Sequence, residues 1–88
     1  MSEEYKNLIS EIVKKQMDLL GPDMALRKAK NVPGLSLNDD GSVLELQGES
    51  HAMLQKLVDE YISLSGEIVK NILGPVFLKY PEIKINLK

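Results

Sequence analysis

Cysteine is absent from the 88-residue chain, which excludes a disulfide framework, a thiolate zinc site and any thiol redox chemistry, and fits a reducing compartment. Histidine occurs once, as His51. A multi-histidine metal site is therefore impossible, and any imidazole acid–base chemistry would rest on one ring. That ring lies at an expected helix N-terminus, whose dipole disfavours the imidazolium. A basic excess is also missing: 11 Lys and Arg stand against 13 Asp and Glu, for a net charge of −2, whereas nucleic-acid-binding domains carry a clear positive balance. The apolar runs are only a few residues long, far below the roughly 20 needed to span a bilayer. The acidic opening Met1-Ser2-Glu3-Glu4 is unlike a secretory signal, so the expected location is cytoplasmic, with no membrane contact.

Phosphate-binding signatures are lacking as well. Neither G-x-x-x-x-G-K nor G-x-G-x-x-G occurs, and the two Gly-Pro pairs, Gly21-Pro22 and Gly74-Pro75, cannot form an amide cradle because proline has no N–H. The carboxylate pairs Glu3-Glu4, Asp39-Asp40 and Asp59-Glu60 are adjacent in sequence. Neighbours on a helix point about 100° apart and cannot flank one substrate atom, so these pairs read as solvated faces. No catalytic residue, cofactor or metal is assigned.

What is present is the composition of one soluble globular domain spanning 1–88, 43% hydrophobic and 27% charged. A chain of this size buries only about 60 to 65% of its unfolded surface. Small domains of this kind often gain stability from oligomerisation.

The spacing predicts an α+β fold ordered α-α-β-β-α, with a long third helix and a C-terminal strand. Ser2 caps a first helix to about Leu20, with one apolar stripe through Tyr5, Leu8, Ile9, Ile12, Val13, Met17 and Leu20. Gly21-Pro22 ends it, and a short second helix runs from Pro22 to Lys30. Asn31-Val32-Pro33-Gly34 makes a turn. Alternation at Leu35 and Leu37, a run from Val43 to Leu46 and the loop Asn38-Asp39-Asp40-Gly41 then give a β-hairpin. Gly48-Glu49-Ser50 caps the third helix, whose helically spaced positions 54, 57, 58, 61, 65, 68, 69 and 72 mark it as the spine of the domain. Gly74-Pro75 bends or interrupts it. Glu82 to Lys88 alternates strictly, so Ile83, Ile85 and Leu87 share one face of a strand that pairs with the hairpin or with another chain. A weak internal echo links Glu11-Ile12-Val13-Lys14 to Glu67-Ile68-Val69-Lys70, but the distance to the Leu-Gly-Pro that follows each differs by three residues, and coincidence between amphipathic helices accounts for it more readily than a duplicated unit.

Two motifs invite chemistry. Ser36, Asn38, Asp40, Gly41 and Val43 fall at EF-hand positions, but the first place needs Asp and the twelfth Glu, where the chain has Ser36 and Gln47. Arg27, Lys28 and Lys30, near Lys14 and Lys15, form one basic cluster. No aromatic residue interleaves with it, and basic residues in a last helical turn complement the dipole on their own. A further oddity is the small-residue group Ser63, Ser65 and Gly66 inside the third helix. Glycine there costs about 1 kcal/mol relative to alanine, which close approach of another backbone, from the same chain or a twin, would explain.

The run from Leu20 to Gly41, followed by an amphipathic helix with a late Gly-Pro, resembles small modules appended to prokaryotic signalling and roadblock-type proteins. The resemblance implies an interaction or dimerisation role. Together these readings describe a non-catalytic protein-interaction or homodimerisation module, with a homodimer or another protein as partner and nucleic acid not expected. Leu54, Leu57, Tyr61, Ser65, Gly66, Ile68 and Ile72 of the long helix and Ile83, Ile85 and Leu87 of the tail are the expected contact residues. Two alternatives from other classes are a small-ligand-binding regulatory domain and a weak nucleic-acid binder acting through Arg27, Lys28 and Lys30.

Overall fold

The computed structural model describes residues 2–85. Helix α1, Ser2–Leu20, ends where the Gly21 amide donates to the Met17 carbonyl at 2.9 Å, and Pro22 then opens α2, Pro22–Ala29, in its first turn. That suits proline, which has no N–H to leave unpaired. Strands β1, Leu35–Leu37, and β2, Val43–Leu46, pair antiparallel with Leu35 opposite Leu46 and Leu37 opposite Val43. Helix α3, Ser50–Ser65, starts with the Glu49 carboxylate accepting from the Ala52 amide at 2.8 Å. Helix α4, Glu67–Leu78, follows.

The mixed α+β class stands, with one correction. The expected long third helix is two helices. Gly66 sits at φ 56° and ψ −115°, a backbone conformation that residues with a Cβ rarely adopt, and the chain turns there. The apolar spacing runs through the break unchanged, because periodicity records side-chain faces and not backbone angles. At Gly74-Pro75 the opposite happens: α4 continues through Pro75 to Leu78.

The spine is α1, which packs against α2, β2, α3 and α4 alike. Leu8, Ile9, Ile12 and Val13 are buried on it. Small residues Ala25 and Ala29 let α2 come close, and Leu54, Leu57, Val58 and Tyr61 of α3 with Val69, Leu73 and Val76 of α4 complete the core. The Tyr61 hydroxyl donates to the Ala25 carbonyl at 2.8 Å, giving a buried polar group its partner. Burial pushes the Tyr61 phenol well above its ordinary value.

The hairpin docks on α1 through the Val43 amide, which donates to Ser10 Oγ at 2.8 Å. Its tip presses Gly41 onto the same helix: at φ 91°, a Cβ there would lie 2.7 Å from Met17 Sδ. The sheet has two strands among the described residues, and Glu82 to Ile85 belong to neither; residues 86–88 of the expected strand lie outside the described residues. A turn at Pro81, with the Ile83 amide donating to the Tyr80 carbonyl at 3.0 Å, folds the chain back onto the helices and buries Ile83. There His51 Nε2 donates to the Lys84 carbonyl, and the Tyr5 ring meets the imidazole edge-on at 6.5 Å between centroids.

Candidate interaction surface

The expected contact residues separate into distinct groups. Leu54, Leu57 and Tyr61 are 0% exposed, so their stripe is spent within the chain and offers nothing to a partner. Ile83 is buried and Ile85 half-buried, while Leu87 lies outside the described residues. Gly66 is no packing notch: a Cβ there would meet nothing within 4 Å, so its conformation, not its size, accounts for it. The open space means that no backbone of the same chain approaches closely at Gly66. Ile68 and Ile72 are different, because both reach the outer side of α4, Ile68 with 54% exposure.

Helix α4 carries only three polar residues, Glu67, Lys70 and Asn71, among its 12. All three fall within one arc of about 100°, so the apolar residues cover more of the helix surface than a single core-facing stripe needs. Here one face, with Val69, Leu73 and Val76, fills the core, and the other holds Ile68, Ile72 and Pro75 at i, i+4 and i+7, with Leu78 beside them at 80% exposure. An isolated exposed leucine is commonplace, whereas an exposed row on one helix is not.

Beside this row, α1 and α4 enclose a groove of about 430 Å³. Leu19, Ile72, Pro75 and Val76 supply its apolar surface, and Glu11, Lys15, Asp18, Asn71 and Lys79 its polar rim. Lys79 donates to the Glu11 carboxylate at one end. From there the lining climbs α1 to Leu19 and descends α4 to Asn71, the pattern of two antiparallel helices. Leu19 and Leu78 were missed as contact residues by sequence reasoning. Leu19 lies at the margin of the α1 stripe, and Leu78 follows a Gly-Pro pair expected to bend or interrupt the helix.

The other candidate chemistry is accounted for locally. In the hairpin loop the Asp40 carboxylate accepts from the Ser42 amide at 2.9 Å and from the Ser42 hydroxyl at 2.6 Å. The Ser42 hydroxyl, more than any other group, holds the Asp40 carboxyl below its ordinary value. Arg27 and Lys30 share a shallow recess with Asp23 and Asp39, so the basic cluster faces acidic neighbours. Among the described residues no three His, Cys, Asp or Glu side chains converge as metal ligands, and no helix is long and apolar enough to cross a membrane. No protein-family model, characterised protein or solved structure matches the chain.

Proposed function

We propose that the chain is a non-catalytic protein-interaction module of a prokaryotic-type signalling or regulatory system in the cytoplasm, and that α4 is its contact element. The observation that carries this reading is the apolar row of α4, in which Ile68, Pro75 and Leu78 are exposed and Ile72 is half-buried, on a helix whose opposite face is already in the core. Leaving such a row in water costs about 25 cal/mol per Å² of apolar surface, and a partner that covers it recovers that free energy. The resemblance of the Leu20 to Gly41 region to modules of prokaryotic signalling and roadblock-type proteins supports the setting.

A photo-crosslinking residue placed at Ile68 tests this in cells that produce the chain. The expected result is a protein adduct of one defined mass, lost when Leu78→Ser is added and absent when the crosslinker replaces Asp59 on the exposed side of α3. Equal, smeared labelling from both positions would show that α4 has no dedicated partner.

A further inference from the structure

Lys15 and Asp18 stand three residues apart on α1, both exposed and both on the rim of the α1–α4 groove. Within the described residues neither forms a salt bridge, while Glu11 on the same rim is engaged by Lys79. Opposite charges one helical turn apart on one flank have a geometric consequence. When two copies of a helix meet antiparallel across a two-fold axis, the same flank faces itself, and residue i of one copy meets residue j of the other while j meets i. A positive and a negative group at i and i+3 then satisfy each other twice.

The two helices agree on where that axis would pass. Because α1 and α4 run antiparallel, with Glu11 level with Lys79, the midpoint of Lys15 and Asp18 lies level with the stretch between Ile72 and Pro75. An axis there sets Ile72 against Pro75 of the other copy and Pro75 against its Ile72.

We infer that the α1–α4 face takes a second copy of this chain, with Lys15 of each copy against Asp18 of the other and the apolar row of α4 closed around a two-fold axis. This rests on the interaction reading above and names its partner. Apolar burial supplies the drive, and the charge pair fixes register and orientation. The result is a face-to-face layer of four helices in which the hairpins remain free at the outside.

The test is sedimentation equilibrium of the full chain over a concentration series, with charge reversals at positions that the monomer leaves in solvent. The wild-type chain is expected to dimerise. Lys15→Asp and Asp18→Lys, which each place like charges together twice, are expected to weaken dimerisation by about tenfold or more. An equimolar mixture of the two variants is expected to recover it as a heterodimer, since the two carboxylates of the first variant then face the two ammonium groups of the second. The double variant, with both charges exchanged, is expected to recover it as a homodimer. Unchanged thermal melting of each variant at dilute concentration establishes that the fold is intact. A wild-type chain that stays at its 9.8 kDa monomer mass at about 1 mM, where even a Kd of that order would show, overturns the assignment. So does a dimer indifferent to the reversals. An Ile68 crosslink to a different protein, with the chain monomeric, overturns the second copy as partner while leaving the interaction reading in place.

Discussion

Gln16 is the one buried polar side chain on the core face of α1, and neither its amide nitrogen nor its carbonyl oxygen has a hydrogen-bond partner among the described residues. A buried polar group without a partner costs about 1 to 3 kcal/mol. Gln16→Met keeps the length of the side chain and removes the demand, so it should raise the melting temperature by about 4 to 8 °C for each kcal/mol recovered in a domain of this size. Thermal unfolding followed by circular dichroism checks it, and a fall would mean that the amide holds a polar partner. Tyr61 gives a pH signature. Its phenol is held above the ordinary value of 10.0, so above that pH the unfolded chain loses a proton that the folded chain keeps, and stability falls as pH rises. Tyr61→Phe should be less stable at neutral pH by about 0.5 to 1.5 kcal/mol, and its loss of melting temperature between pH 8 and about 11 should be smaller than that of the parent. Equal alkaline losses in both proteins would contradict the assigned cause.

At the level of the elements, Gly66 separates two helices that the side-chain pattern joins. Gly66→Ala meets no steric obstacle, so its cost is backbone strain alone, about 1 to 3 kcal/mol, to be read from the midpoint of urea unfolding. An alanine variant of parental stability would mean that α3 and α4 can run on as one helix. The helices, the hairpin and the caps at Gly21-Pro22 and Glu49 were legible because each follows from local chemistry: a spacing, a missing N–H, a side-chain acceptor. The Gly66 break was not, since Ile68, Val69 and Ile72 continue the helical spacing of Leu54, Leu57, Val58 and Tyr61 across it. The usable signal was an acidic residue, Glu67, directly after a glycine, which suits a new helix start. The tail was ambiguous for a similar reason. Strict alternation in Glu82 to Lys88 describes faces, and the turn at Pro81 decides which surface they meet. The candidate site was half legible: Ile68 and Ile72 were within reach of periodicity, whereas Leu19 and Leu78 became contact candidates only once α4 was seen to lie along α1.

Across the whole molecule, the domain is small, and each long-range tie counts for much of its margin. Removing residues 81–88 strips Ile83 from its buried site and the Lys84 carbonyl from His51. Burial of one such isoleucine is worth about 1.5 to 3 kcal/mol, so the truncated chain should melt well below the parent in calorimetry. An unchanged melting temperature would show that the tail contributes nothing to the fold. The contact of Tyr5 with His51, and of His51 with Lys84, has a topological consequence. The first turn of α1 and the C-terminal segment meet at a single ring, so the chain is close to a closed loop, and where it is cut becomes a matter of choice. A circular permutant that joins the two ends through a short flexible linker and opens between Asp39 and Asp40, both exposed at the hairpin tip, retains every helix in its order around the ring.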